Sequence, residues 1–305
     1  MLKYIPENII LLFQKKIKPR IVFSFEKEGE NTICGYAAGF FTTYKNLSKA
    51  EYISRLTESI NLLKTEDMKS LITERIHTFT QENIKEIENN SGLKILDGRN
   101  EIINSIPYVL KELFRLKNQL INEKEILIIS DDTYLTEKIA INIAKDLSFL
   151  TIMSKNMVFC EKLMNKILNE TGLSLQLSTK LDKSVQNFDV VINMASDVEL
   201  DAYNIKRRAI IVDTSLGRKL EILNDKRKDL LIITDLIFKN SGILKNNSEL
   251  FSYKDKIPSY IYEGIKKQDN MKPIEIRANG KNYKIKDAVN IYYGKRRNKS
   301  LFLTK

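Results

Sequence analysis

The stretch Glu125-Ile-Leu-Ile-Ile-Ser130, Asp131-Asp132-Thr133, Tyr134-Leu-Thr-Glu-Lys-Ile-Ala-Ile-Asn-Ile-Ala-Lys-Asp-Leu147 reads as strand, turn and helix in direct succession. Working outward, the same alternation continues. Leu150-Thr-Ile-Met153 is a second strand, a helix runs from Asn156 to Glu170, and Leu173-Ser-Leu-Gln-Leu177 is a third strand. Asp189-Val-Val-Ile-Asn-Met194, Ala209-Ile-Ile-Val-Asp213 and Leu230-Leu-Ile-Ile-Thr234 complete the series. Short, nearly continuous apolar strands separated by helical segments predict a parallel sheet covered on both faces. Right-handed crossovers then give a doubly wound sheet with a ligand edge beyond the strand carboxyl ends.

Upstream, Arg20-Ile-Val-Phe-Ser-Phe25 and Thr32-Ile-Cys-Gly-Tyr-Ala-Ala-Gly-Phe-Phe41 predict two strands around a turn at Glu28-Gly29-Glu30-Asn31. A capping box at Ser48 and Glu51 opens a helix. Leu71-Ile-Thr-Glu-Arg-Ile-His-Thr-Phe79 suits strand or helix, Thr80 caps a short helix, and Leu93-Lys-Ile-Leu96 is a short strand. A long striped helix is expected from Asn100 to about Asn122, across Pro107. Near the other end, Asn279-Gly280 predicts a hairpin with a type I′ turn. The fold class is therefore α/β: an N-terminal α/β domain (1–100), a linking helix (101–123), a doubly wound Rossmann-like domain (124–245) and a C-terminal extension with a hairpin and basic tail (246–305).

Composition bounds the function. Hydrophobic and charged contents of 43% and 29% are those of a globular protein. No apolar run approaches the roughly 18 residues that span a bilayer. The first thirteen residues are broken by Pro6, Glu7 and Asn8, against a signal peptide, so the expected compartment is the cytoplasm. Two cysteines and one histidine, His77, exclude a disulfide framework and a dedicated transition-metal site. The net charge of +11 is concentrated near the ends: residues 281–305 hold eight Lys/Arg against one Asp, and Lys15-Lys16-Ile17-Lys18-Pro19-Arg20 adds four bases. Of the chain's 50 Lys/Arg and 39 Asp/Glu, that leaves 38 of each elsewhere. The basic tail, with Tyr292-Tyr293-Gly-Lys-Arg-Arg297, offers nucleic acid phosphates to neutralise and bases to stack; the alternative is a solvated tail.

Several short matches resemble a group of bacterial predicted amino-acid dehydrogenases related to long-chain acyl-carrier-protein reductases, and more distantly to shikimate dehydrogenase and glutamyl-tRNA reductase. They are Gly35-Tyr-Ala-Ala-Gly39, Asp97-Gly98-Arg99-Asn100, Phe188-Asp-Val-Val-Ile-Asn193 and Ala209-Ile-Ile-Val-Asp213-Thr-Ser215, over about residues 20–240. The resemblance implies hydride transfer between a nicotinamide and a carbonyl or acyl substrate, with NADP or NAD as cofactor and no metal. It places the cofactor against Ser130, Asp131, Asp132 and Thr133, then Ser154 and Lys155, then Asn193, Ala195, Asp213 and Thr214. Gly98, Arg99 and Asn100 would face a small-molecule substrate, Arg99 holding an anionic group.

This sequence departs from that pattern at its first turn. A G-x-G-x-x-G loop turns tightly and lets the pyrophosphate reach backbone N–H groups. Asp131-Asp132-Thr133 supplies carboxylates instead, and no glycine occurs between Gly98 and Gly172. Asp131 or Asp132 would cap the helix and occupy those donors. Ser154-Lys155-Asn156 has no acid for the ribose hydroxyls and would favour NADP, unless Ser154 or Asn156 merely caps the next helix. Cys160 lies on an apolar helix stripe, so thioester chemistry is not supported and no catalytic residue is assigned. The expected function is a divergent NAD(P)-dependent dehydrogenase or reductase with weak or lost cofactor binding and catalysis. The alternative is a non-catalytic regulatory or scaffold protein that binds a protein or nucleic-acid partner.

Overall fold

The computed structural model describes residues 17–27, 32–40, 47–73, 76–180, 183–240, 255–265 and 271–294. The turn expected at Glu28–Asn31 and the tail beyond Gly294 lie outside them. The chain divides into two compact units, residues 1–98 with 239–269, and 99–238 with 270–305. The stretch beyond residue 245 is thus shared between them.

In the first unit, strands β1 (Arg20–Glu26) and β2 (Ile33–Gly39) pair antiparallel. Helix α1 (Lys49–Leu63) starts at the Ser48–Glu51 capping box and buries Ile53, Leu56 and Ile60. The ambiguous segment resolves into a short strand, β3 (Ser70–Ile72), and a 3-10 turn at Ile76–Thr78 holding His77. Helix α2 (Gln81–Ser91) is capped by Thr80, and β4 (Lys94–Leu96) runs parallel to β3. Later in the chain come β11 (Lys256–Pro258) and helix α7 (Ser259–Ile265), which packs on β3 and β4. Gly264 permits that approach, since a Cβ there would lie 3.1 Å from Ile72 Cδ1.

The second unit opens with α3 (Arg99–Leu116), whose buried stripe includes Ile103, Ile106, Leu110 and Leu113 and continues through Pro107. It ends earlier than the sequence suggested. Asn118 takes a left-handed φ of 54°, and the Gln119 N–H reaches back to the Phe114 carbonyl, so asparagine does the stopping that glycine usually does. The strands are β5 (Glu125–Ile129), β6 (Phe149–Met153), β7 (Gln176–Ser178), β8 (Val190–Asn193), β9 (Ile210–Asp213) and β10 (Leu231–Lys239). They are parallel in the spatial order β7-β6-β5-β8-β9-β10. This is the 3-2-1-4-5-6 order of a Rossmann sheet.

The two faces are covered differently. Helices α4 (Thr133–Ala144) and α5 (Met157–Thr171) make the crossovers of the first half. They form one row with α3 and with α8 (Ile285–Tyr293), each touching the next in the order α5-α4-α3-α8. The expected helical crossovers of the second half are not found among the described residues. Among the described residues, 3-10 turns at Lys183–Asn187, Ala202–Asn204 and Lys219–Ile222 and the one-turn α6 (Leu223–Lys226) connect β7 through β10. Their Val185, Ala202, Ile205, Leu220 and Leu223 pack with Leu127, Ile129, Val191, Ile211 and Ile232 as a second core.

The predicted hairpin is present, β12 (Glu275–Ala278) with β13 (Lys281–Tyr283), and Asn279 and Gly280 have φ of 49° and 78°. The hairpin also extends the sheet, β12 pairing antiparallel with β10. The Asn279 side chain accepts from the Ile232 N–H at 2.9 Å and donates to the Leu230 carbonyl at 3.1 Å, fixing the turn to the start of β10.

Candidate functional site

A Rossmann sheet binds its ligands beyond the strand carboxyl ends. In this protein that edge is occupied by a repeated device of its own. At five neighbouring strand ends a side-chain oxygen accepts the backbone N–H of the residue two further on. Ser130 Oγ accepts from Asp132 at 3.0 Å, Ser154 Oγ from Asn156 at 3.2 Å, and Ser178 Oγ from Lys180 at 3.3 Å. Asn193 Oδ1 accepts from Ala195 at 3.2 Å, and Asp213 Oδ1 from Ser215 at 3.2 Å. These are side-chain turns, which serine, asparagine and aspartate make because their oxygens reach the nearby backbone.

At the first two ends the device runs directly into a helix cap. Asp132 is the N-cap of α4, its Oδ1 accepting from the Leu135 N–H at 3.0 Å, and its own N–H is held by Ser130. Asn156 caps α5 in the same way, accepting from the Phe159 N–H at 3.1 Å while Ser154 holds its N–H. Asp131, Thr133 and Lys155 are exposed around these caps, whereas Ser130 and Ser154 are buried.

The next two ends form a single network. Asp213 is fully buried and accepts four hydrogen bonds: from Asn193 Nδ2 at 3.0 Å, Ser215 Oγ at 2.6 Å, the Ser215 N–H, and the Leu220 N–H at 3.1 Å. Burial pushes its carboxyl above the usual range while the four donors pull it back. Thr214 Oγ donates to the Asn193 carbonyl at 3.2 Å, and Ala195 is buried beside them. The sequence-predicted cofactor residues of β5, β6, β8 and β9 therefore do share one edge, with their hydrogen-bonding groups turned largely toward one another.

The expected substrate residues divide. Gly98 belongs to the first unit, where its N–H donates to Glu263 Oε2 at 2.8 Å. Its φ of 82° and a Cβ position 2.2 Å from Ser259 Oγ demand glycine on structural grounds. Arg99 and Asn100 open α3 in the second unit, and Asn100 Oδ1 receives Lys138 Nζ at 3.4 Å. Cys160 is fully buried on α5 near Ser154, and burial raises its thiol pKa, the opposite of what a nucleophile needs. The tail's paired tyrosines are not free stacking platforms: Tyr292 meets Tyr283 edge-on, and the Tyr293 ring lies 3.9 Å below Lys117 Nζ. Among the described residues no group of three or more His, Cys, Asp or Glu could hold a metal ion, and no helix is long and apolar enough to cross a membrane.

The five turns were individually visible in sequence as polar loop residues. What could have revealed the set is the recurrence of Ser, Ser, Ser, Asn and Asp at successive strand ends.

No protein-family model matches the chain, and no curated protein is similar to it. Parts of several solved structures are. L-tryptophan dehydrogenase from Nostoc punctiforme is 11% identical with a TM-score of 0.36, over 66% of this chain and 57% of that one. Shikimate dehydrogenase from Aquifex aeolicus is 19% identical with a TM-score of 0.32, over 45% and 50%. Quinate dehydrogenase from Corynebacterium glutamicum, solved in complex with NAD, is 12% identical with a TM-score of 0.31, over 41% and 46%. The chain spans about half the length, or less, of the first solved structures it is similar to. Shikimate dehydrogenase, a distant resemblance in the sequence, is thus among them, while the fold itself is assigned by the strand order: a Rossmann sheet extended by an antiparallel hairpin.

Proposed function

We propose that this chain is a divergent, dehydrogenase-like Rossmann protein whose dinucleotide binding and catalysis are weak or lost. The observation that carries the reading is Asp132 at the first turn of α4. A pyrophosphate seats by taking N–H groups at that helix end. Here the Leu135 N–H is already given to Asp132, and the carboxylate would lie against the incoming phosphate. A pyrophosphate therefore does not fit this turn as it stands. On β6, Lys155 stands where an acid would hold ribose hydroxyls, so residual affinity would favour NADP over NAD. The sealing of the edge also favours a second reading, a non-catalytic regulatory or scaffold protein that keeps the fold and binds its partner elsewhere.

The test is thermal unfolding with NADP or NAD at about 1 mM, where a ligand of roughly 10 μM affinity adds about 2.7 kcal/mol. The wild type should show no rise in Tm. Asp132→Gly should show one, with NADP above NAD, because glycine removes the charge and bulk at a capping cost of only a few tenths of a kcal/mol. A saturable rise in the wild type that Asp132→Gly reduces would falsify this account of the turn.

A further inference from the structure

The opposite edge of the same sheet, at the strand amino ends, has a different chemistry. Helix α3 finishes there, and Lys117 and Lys124 both sit over the Phe114 ring, their Nζ atoms 4.8 and 5.6 Å from its centroid. Lys117 also covers Tyr293. Lys206 and Arg208, from the turn before β9, act on Lys117 as further like charges, with Asp189 opposing them. Burial, with Lys124 next, pushes Lys117 down to about 8.

Three of the nearby acids are engaged. Asp189 pairs with Lys206 at 2.9 Å and accepts the Glu125 N–H. Asp229 takes two bonds from Arg227, at 2.7 and 2.9 Å, and a third from the Arg208 N–H. Asp201 is spent capping its own turn, and Glu123 and Glu125 flank Lys124 in sequence. Lys117, Lys124, Arg207 and Arg208 make no ion pair among the described residues, and both arginines are exposed. Arg227 also binds the Ala202 and Ile205 carbonyls, at 2.5 and 3.2 Å, which fixes the turn between them. That turn presents Tyr203 with 86% of its surface in solvent. Arg208 has a φ of 61°, a left-handed conformation held by the bond from its N–H to Asp229.

We propose that this amino edge binds single-stranded nucleic acid, with Lys117, Lys124, Arg207 and Arg208 on the phosphates and the Tyr203 ring stacked on a base. The patch runs across the amino ends of β5-β8-β9, two strand spacings or roughly 10 Å, which brings neighbouring phosphates of one strand within reach. An exposed aromatic ring on a turn held by Arg227 suits base stacking, whereas a membrane surface calls for an amphipathic helix with an apolar face. The proposal is independent of the carboxyl edge and its cofactor.

Fluorescence anisotropy of a labelled single-stranded DNA of about 20 nucleotides, titrated with the full chain from roughly 50 to 200 mM salt, tests it. The triple variant Lys124→Gln, Arg207→Gln, Arg208→Gln should keep its melting temperature and lose about two units of the log–log salt slope, at ~0.7 per phosphate contact. Tyr203→Ala should bind at least about fivefold more weakly, and Tyr203→Phe should restore binding. The proposal is overturned if the wild type does not bind, or if both edge variants bind as the wild type does. It is equally overturned if only neutralising Lys295, Arg296 and Arg297 abolishes binding, or if phosphatidylserine vesicles capture the protein and the oligonucleotide does not.

Discussion

At the carboxyl edge of the sheet, strand-end side chains fold back onto their own backbone, whereas at the amino edge lysines and arginines from separate segments gather around the end of α3. Both habits start from the same dipoles. Crossover helices direct their positive amino ends to the carboxyl edge and their negative carboxyl ends to the amino edge. An acid at the start of α4 and a lysine after α3 are what those partial charges favour. The difference lies in what is left over. Asp132 and Asn156 each take a helix-end N–H and Asp213 takes four donors, whereas no acid among the described residues pairs with Lys117, Lys124, Arg207 or Arg208. Under the two proposals above, ligand capacity would follow the unspent hydrogen-bonding and charge at an edge, with topology alone not deciding which edge carries it.

The comparison breaks first at Asp213. Replacing it with alanine leaves an amide, a hydroxyl and two backbone N–H groups without their acceptor, and should cost about 3–5 kcal/mol in urea unfolding. A loss below about 1 kcal/mol would mean that the carboxyl edge is not held by its own network. Asp132→Ala tests the same edge more gently. Loss of one N-cap bond should cost about 1 kcal/mol, and an unchanged unfolding midpoint would count against the cap.

The smallest effect belongs to the amino edge and depends on pH. Lys117 holds its proton up to about 8 in the folded state, against an ordinary value of 10.5. Between those values the unfolded chain binds more protons, so the wild type gains stability as pH rises, relative to Lys117→Gln. With solvent screening allowed for, the gain is about 1 kcal/mol across that window. Unfolding curves at a series of pH values would check it; a stability difference that stays flat from pH 8 to 10.5 would remove Lys117 from the cationic cluster.

Local signals were legible in the sequence and distributed ones were not. The caps at Ser48 and Thr80, the Asn279-Gly280 turn and the apolar strands are written in neighbouring residues. The early stop of α3 was hidden because Asn118 adopts a conformation more often given to glycine. The hairpin's place in the sheet depends on the Asn279 contacts with Leu230 and Ile232, some fifty residues distant in sequence. Of the candidate site, the strand ends were legible, but each turn looked like an ordinary polar loop. The cations at 117, 124 and 206–208 are dispersed in the chain and meet only through the strand order β5-β8-β9.

The five side-chain turns also set a clock for the backbone. Amide hydrogens of Asp132, Asn156, Lys180, Ala195 and Ser215 belong to connections, where exchange with solvent deuterium is ordinarily fast. Each is already committed to a fixed oxygen. In a hydrogen-exchange map they would stand out as slow positions ringing one edge of the sheet, and the lifetime of each would report how often its own strand end opens.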